Sequence, residues 1–169
     1  MHGSSLPAIL LALILALGFA LRVHEPVSRP DQWVRRAKAF NESVAQADWR
    51  GTYRSYHPGF TVMVAGGLGL RLERATADTP LHRFFEWTWP ASATRHGREM
   101  AAGIAGMAAA ITIAHGLAAI VLYLLGGWPF ALTAAGLLSF SPFPLAQGRI
   151  FHPDGLLSAL MLLSASLLL

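Results

Sequence analysis

A long uncharged segment is the sequence feature that most constrains how this chain can fold. Residues 100–148 contain no Asp, Glu, Lys or Arg, and a further apolar run covers 153–169. A helix needs about 20 apolar residues to cross the hydrocarbon core of a bilayer. The uncharged segment is long enough for two crossings. We therefore predict membrane-spanning helices over 100–125 and 128–146, a tight Gly-Gly-Trp-Pro turn between them, and a last span over 153–169.

The overall composition indicates the same class of protein. Hydrophobic residues make up 54% of the chain and charged residues only 13%, about half the usual charged share of a soluble domain. There is no cysteine, which excludes disulfides and thiolate chemistry. The net charge of +4 comes mainly from Arg residues in polar loops. This distribution favours a lipid surface or a phosphate-bearing partner over nucleic acid.

The N-terminus contains another uncharged run, rich in Leu and Ala, that Arg22 closes. We interpret residues 6–23 as a retained membrane-spanning anchor. A cleaved signal peptide is the alternative. It is disfavoured because no Lys or Arg precedes the run and no clear small-residue cleavage site follows it.

Residues 24–99 form a long polar loop, which we predict to be extracytoplasmic. Within it Trp33, Ala37, Phe40 and Val44 recur at the spacing of one helical face. This pattern predicts an amphipathic helix, and we expect that helix to lie on the membrane surface. An aromatic cluster at 84–89 is typical of an interfacial anchor.

The topology depends on the uncharged segment 58–70, which is short for a crossing and favours a re-entrant segment. If it only dips into the membrane, Asp31 and Asp154 face the same side, and we expect their carboxylates to lie close together. If it crosses, they face opposite sides. All but one of the 13 Lys and Arg residues lie in 22–98. The positive-inside rule would place that loop in the cytoplasm, although the rule weakens for long loops.

Two charges interrupt the apolar C-terminal part of the chain. Arg149 and Asp154 are the only charged residues after Glu99. A charge within a membrane costs about 2.5–3.5 kcal/mol even on the lenient insertion scale. We therefore interpret these two residues as half of a functional site, with Asp31 in the other half.

These features resemble the start of a GT-C glycosyltransferase. The resemblance rests on a first span, a loop with an early Asp, the stretch Tyr-His-Pro-Gly at 56–59, and SPFPLAQGRIFHPDGLL, in which Arg149 precedes Asp154 by five residues. The most similar branch is family 39, which includes protein O-mannosyltransferases and aminoarabinose transferases. That family often has Asp-Glu in the first loop, whereas here Gln32 follows Asp31.

The resemblance implies an all-α, polytopic transmembrane helix bundle with amphipathic helices in a long first extracytoplasmic loop. It covers nearly the whole chain, which would be the N-terminal part of a longer protein in the cell membrane. The implied reaction moves a sugar from a polyprenyl-phosphate donor to an acceptor protein or glycolipid outside the cytoplasm.

The same resemblance suggests a role for each candidate residue. A carboxylate can accept the acceptor's proton, and Arg binds phosphate through two parallel hydrogen bonds. Asp154 would orient the acceptor or bind a divalent cation, the one cofactor considered. No His-rich metal motif occurs. The assignments are Asp31 and Asp154 as catalytic residues, Arg149 and His57 for the phosphate, and His152 and Glu25 as auxiliaries.

Each assignment has a simpler alternative, as does the whole function. Asp31 and Asp154 are both suited to the first turn of a helix, and Arg149 to anchoring a helix end at the lipid headgroups. The chain as a whole could instead be a non-catalytic helix module or a transporter fragment. A transporter should place ionisable groups mid-span, whereas here the charges lie at span ends and only His115 lies within a span.

Overall fold

The computed structural model describes residues 5–24, 32–54, 60–76, 79–80, 83, 87, 95–150 and 152–169. About 90% of these residues are helical and none lies in a β-strand, which confirms the all-α class. In chain order the helices are α1 (Ser5–Val23), α2 (Gln32–Ala45), α3 (Trp49–Arg54), α4 (Phe60–Ala75), α5 (Arg95–Phe140), α6 (Pro142–Gly148) and α7 (Pro153–Leu167).

Helix α5 is a hairpin of two limbs that reverses direction at Gly127. This glycine has φ 72° and ψ −167°, a conformation that residues with a side chain rarely adopt. The first limb (95–126) runs antiparallel to α1, and the second limb (128–140) runs parallel to it. As a result Leu11 and Ile14 of α1 pack against alanines of both limbs. The reversal lies within the Gly-Gly-Trp-Pro stretch.

One part of the molecule, which we name the apolar half, consists of α1, residues 109–148 and α7. Its interior is built from small residues such as Ala119, Ala131 and Ala159, all buried. Its large apolar side chains, Leu13 and Leu124 among them, point outward. Small residues inside and large apolar residues outside are typical of helices that pack within a membrane.

Among the described residues, two helices are long and apolar enough to cross a membrane, namely α1 and the Gly97–Phe140 part of α5, and α7 is a shorter apolar helix. Signal sequences and buried core helices meet the same criteria of length and composition. The outward-facing large side chains are therefore the more informative observation. Together these features suggest association with a membrane.

The remaining elements form what we name the polar half: α2, α3, α4 and residues 95–108. The apolar face predicted for α2 exists, and Trp33, Ala37 and Phe40 are buried. It packs against α4 and the start of α5. The expectation that this face lies on the membrane surface is wrong, because protein covers it. Lys38 of α2, which is half-buried, forms an ion pair with the buried carboxylate of Glu99 of α5.

Helices α4 and α5 cross at a very short distance. A Cβ on Gly69 would overlap the carbonyl oxygen of Ala102, and one on Gly106 would overlap that of Ala65. The pairing is antiparallel and involves the start of α5, whereas α1 pairs with later residues such as Gly116. Helix α4 therefore covers the part of α5 that α1 leaves uncovered. Residues 60–70 of the predicted re-entrant segment belong to α4, and 58–59 lie outside the described residues.

Candidate functional site

Several chain segments meet where α1 ends, at the boundary between the apolar and polar halves. They are the residue after α1, the start of α2, the end of α6 and the start of α7. Together they contribute one Arg, one Asp, two His and one Trp side chain. We name this group the polar corner and define it as His24, Trp33, Arg149, His152 and Asp154.

Arg149 links the end of α6 to the end of α1. It follows Gly148, the last residue of α6, and its backbone N–H donates to the carbonyl oxygen of Ala146 at 3.2 Å. Its guanidinium Nη2 donates to the carbonyl oxygen of His24 at 3.2 Å. The last carbonyl groups of a helix have no partner within that helix and carry partial negative charge, so a cation is stabilised there. The position of Arg149 therefore has a local structural cause, and its predicted functional role stays a prediction.

His152 and Asp154 form a pair at the start of α7. Nδ1 of His152 lies 3.1 Å from Oδ2 of Asp154. Pro153 occupies the first turn, where its missing N–H removes nothing from the helix. The side chains of His152 and Asp154 are 43% and 61% exposed, so both are accessible from solvent.

A ring contact joins the start of α2 to the start of α7. The indole of Trp33 lies edge-on to the His152 imidazole, with 5.3 Å between the ring centroids. Trp33 is itself buried, and the Arg36 guanidinium lies 4.9 Å from its ring centroid. The starts of α2 and α7 are therefore at the same end of the molecule, the end at which α1 finishes.

Trp87 reaches the polar corner from the long loop. Its indole stacks on the His24 imidazole at 5.1 Å between centroids, with 25° between the ring planes. His24 is also the residue whose carbonyl oxygen accepts the Arg149 hydrogen bond. This part of the predicted interfacial aromatic cluster therefore packs against the polar corner.

An apolar groove of about 590 Å³ begins beside the polar corner. It runs along α5 from Ala105 to Leu117 between α4 and α7, and the described residues that line it carry no polar or charged side chain. Leu156 in its wall belongs to the same helix start as Asp154. Along the axis of α7, the groove therefore begins within about one helical turn of the polar corner. Sequence reasoning did not locate the groove, because its walls come from four separate helices.

Arg22 is a second residue of this region whose role the sequence did not reveal. The sequence pattern indicates only that it closes the first span. Its side chain is 1% exposed, and Nη2 donates to the carbonyl oxygen of Leu138 at 2.8 Å. The one available signal was Pro142, which deprives that carbonyl of its usual donor.

Of the predicted site residues, the described structure pairs His152 with Asp154 and places Arg149 at the end of α6, a few residues before them. The other three, Asp31, His57 and Glu25, lie outside the described residues. Within the described ranges no group of three or more His, Cys, Asp or Glu residues could hold a metal ion. A divalent cation at Asp154 would therefore need ligands from elsewhere.

Comparison of the chain with family models, with curated proteins and with solved structures finds no match. The similarity to family 39 therefore depends on the sequence motifs quoted above.

Proposed function

We propose that this chain is part of an integral-membrane glycosyltransferase that transfers a sugar from a polyprenyl-phosphate donor to an extracytoplasmic acceptor. The observation that carries the proposal is the polar corner beside the apolar groove. A donor of this class has the same two-part character, with an anionic phosphate next to a long apolar chain. The resemblance to GT-C transferases points to the same class of substrate.

Arg149 would bind the phosphate of the donor. A guanidinium can donate two parallel hydrogen bonds to a phosphate, and it keeps its charge at any physiological pH. The lipid chain would enter the groove next to Leu156. The groove follows α5 from Ala105 to Leu117, which at 1.5 Å per residue is roughly 18 Å of helix. His57 remains a proposed phosphate contact.

The transfer also needs a proton acceptor. As the acceptor hydroxyl oxygen attacks the anomeric carbon, the bond from that carbon to the phosphate oxygen breaks and the phosphate leaves with the electron pair. The hydroxyl proton would pass to the Asp31 carboxylate or to Nε2 of His152, which Asp154 orients through Nδ1. Asp31 is included because the resemblance to GT-C transferases implies an acidic residue of the first loop in this role. Glu25 keeps an auxiliary role.

The two ends of the apolar half support the proposed orientation in the membrane. Tyr123 and Trp128 pair at the Gly127 reversal, with 4.5 Å between ring centroids, and aromatic residues favour the membrane–water interface. Arg22 and Arg149 lie at the opposite end. Residues 109–126 would extend roughly 26 Å between these ends at 1.5 Å per residue. This length suits a multi-pass protein of the cell membrane with the polar corner at one surface.

Binding of a short lipid phosphate by the chain in dodecyl maltoside micelles tests the proposal. We expect farnesyl phosphate to bind at least about tenfold more tightly than farnesol, since a charge-assisted phosphate contact contributes about 1.5–3 kcal/mol. Arg149→Gln should remove the difference, whereas Arg35→Gln, at an exposed position of α2, should preserve it. Equal binding of the two lipids by the unmodified chain would refute the phosphate site.

Sugar transfer by the protein from a polyprenyl-phosphate donor tests the catalytic assignment separately. Asp31→Asn should lower kcat by about 100-fold or more if this carboxylate is the proton acceptor. Full activity of Asp31→Asn would remove Asp31 from the mechanism.

A transporter fragment is the second candidate function, and the buried groups Arg22 and His115 in the apolar half favour it. Ionisable groups inside a membrane often mark a substrate path. The hydrogen bond from Arg22 to a backbone carbonyl gives that residue a structural reason to be buried. Substrate-dependent flux through vesicles that contain the protein, without sugar transfer, would favour the transporter.

A further inference from the structure

The buried guanidinium of Arg22 is the feature from which we draw a further inference. The side chain lies in the last turn of α1, and the residue is 1% exposed. Its Nη2 donates to Leu138, while Nε is buried without a hydrogen-bond partner in the described part of the chain. Removing a cation from water is unfavourable unless its partners compensate for the lost hydration. The burial of this cation therefore needs a structural explanation, and its hydrogen bond to Leu138 suggests one.

Pro142 explains why the Leu138 carbonyl needs a donor from outside its own helix. In a continuous helix this carbonyl would accept a hydrogen bond from the N–H of residue 142. Proline has no N–H, and it disfavours the helical conformation of the residue before it. Accordingly Ser141 is extended, with φ −61° and ψ 136°, and α5 ends there. The Arg22 guanidinium replaces the missing backbone donor.

Two glycines make the room that the Arg22 side chain occupies. A Cβ on Gly148 would lie 2.8 Å from both Cδ and Nε of Arg22. A Cβ on Gly18 would lie 3.0 Å from Nη1 of Arg22 and 2.7 Å from Cβ of Ser139. Arg22 therefore contacts the end of the second limb of α5 and the end of α6 at the same time.

The end of α1 and the residue that follows it also contact the segment around Arg149. Gly148, against which Arg22 packs, directly precedes Arg149. The carbonyl oxygen of His24, just after Arg22, accepts the hydrogen bond from the Arg149 guanidinium. We infer that Arg22 is a positioning residue that fixes the break between α5 and α6, and through it the direction of the Arg149 guanidinium toward an anionic phosphate. The part concerning phosphate rests on the proposed function.

Hydrogen exchange tests the structural step without any ligand. The reporters are three amides whose hydrogen bonds define α6 and its end: Leu145 to Ser141, Arg149 to Ala146, and Ile150 to Gln147. We expect Arg22→Met, which keeps the long side chain and removes the donors, to speed their exchange by at least about tenfold. Arg22→Lys keeps a donor and should have a smaller effect. Arg35→Met is the matched control on an exposed position of α2 and should have none.

Pro142→Ala tests whether Arg22 acts through the Leu138 carbonyl. An alanine restores a backbone N–H at position 142, so the effect of Arg22→Met on exchange should shrink by several-fold in the Pro142→Ala background. The inference is overturned if Arg22→Met leaves the three amides unchanged. It is also overturned if Arg22→Met has the same effect with and without Pro142.

Farnesyl phosphate binding then tests the functional step. We expect Arg22→Met to weaken the binding of farnesyl phosphate by about tenfold and to leave the binding of farnesol unchanged, because the groove is not altered. Arg22→Lys should recover part of the affinity. Weakening of both lipids alike would refute positioning of Arg149. Failure of the unmodified chain to prefer the phosphate would refute the proposed function, whereas the exchange measurements would still decide whether Arg22 fixes the break.

Discussion

The apolar half and the polar half of this molecule follow opposite packing rules. In the polar half, large side chains such as Trp33 and Phe40 are buried, and the charged groups of Arg35 and Lys38 lie toward the outside. In the apolar half, alanines are buried and Leu13 and Leu124 point outward. Burial of large apolar groups stabilises a fold in water. Within lipid, helices associate instead through close packing of small residues. The difference therefore indicates that the polar half is packed as in water and the apolar half as in lipid.

The polar corner lies at the boundary between the two halves, and this position explains why it has both charged and apolar neighbours. A charged group there can contact water on one side while an apolar groove begins on the other. Arg22, on the apolar side of this boundary, is buried and donates a hydrogen bond to a backbone carbonyl. Lys38, well outside the boundary, forms an ion pair with a Glu99 carboxylate.

The largest effect that separates the two halves should come from removing a large apolar side chain. Phe40→Ala deletes a ring that is 6% exposed, and we expect it to lower the free energy of unfolding by about 3–5 kcal/mol. Leu13→Ala, at a position 60% exposed in the apolar half, should change it by less than about 1 kcal/mol, because detergent replaces the lost contacts. Unfolding by SDS titration in dodecyl maltoside micelles measures both. Equal losses would contradict the distinction between the halves.

A charge placed on the outer surface should produce the next largest effect. Leu124 is 76% exposed in the apolar half, and Trp49 is 69% exposed in the polar half. If lipid surrounds only the apolar half, Leu124→Arg should raise the free energy of membrane insertion by about 2.5–3.5 kcal/mol. Trp49→Arg should leave insertion unchanged. The inserted fraction in microsomes, read from engineered glycosylation acceptor sites, compares the two. Normal insertion of Leu124→Arg would contradict a lipid-facing surface at that position.

Glycine-to-alanine substitutions should change the free energy of unfolding by less. The sign should differ between the crossing of α4 and α5 and an open position in the second limb of α5. A methyl group on Gly69 would overlap the Ala102 carbonyl, whereas a Cβ on Gly136 meets nothing within 4 Å. We expect Gly69→Ala to destabilise the fold by about 1–3 kcal/mol. Gly136→Ala should stabilise it by up to about 1 kcal/mol, since alanine restricts the unfolded chain. The same SDS titration measures both, and a stabilising Gly69→Ala would refute the close crossing.

Local sequence patterns were sufficient for the parts of this fold that depend on one helix at a time. The spacing of Trp33, Ala37 and Phe40 predicted the apolar face of α2, because a helix places such residues on one side. The patterns could not say what covers that face. Helix α4 likewise continues to Ala75 through Arg71 and Glu73, past the predicted end of the uncharged segment. Tertiary contacts with α2 and α5 decide both outcomes.

The candidate site was predictable to the extent that charge is expensive beside apolar residues. That argument found Arg149 and Asp154, because no other charge follows Glu99. It missed Arg22, because an Arg at the end of a span has an ordinary explanation as an anchor. Only the three-dimensional contact with Leu138, far along the chain, shows that Arg22 replaces the donor that Pro142 lacks.

The smallest effect on stability should come from changing the His152–Asp154 pair. We expect that change to alter the tautomer of His152 instead. Both side chains are substantially exposed, so Asp154→Asn should change the free energy of unfolding by less than about 1 kcal/mol. In a neutral imidazole, Nδ1 carries the proton when it faces a carboxylate, which leaves Nε2 as an acceptor. An asparagine at position 154 can donate from its amide to Nδ1 and so move the imidazole proton to Nε2. Such a tautomer could no longer accept a proton from a sugar acceptor.

Ring nitrogen chemical shifts of the ¹⁵N-histidine-labelled chain would detect this change of tautomer, with His152→Gln used to assign the signals. We expect the two nitrogens of His152 to exchange their protonated and unprotonated shifts in Asp154→Asn. Asp48→Asn is the matched control, because Asp48 accepts from the Gly51 N–H in the polar half and should leave His152 unchanged. An unchanged tautomer in Asp154→Asn would show that the carboxylate does not orient the ring. Asp31 would then be the remaining proton acceptor of the two, and the boundary between the halves would supply only the phosphate site.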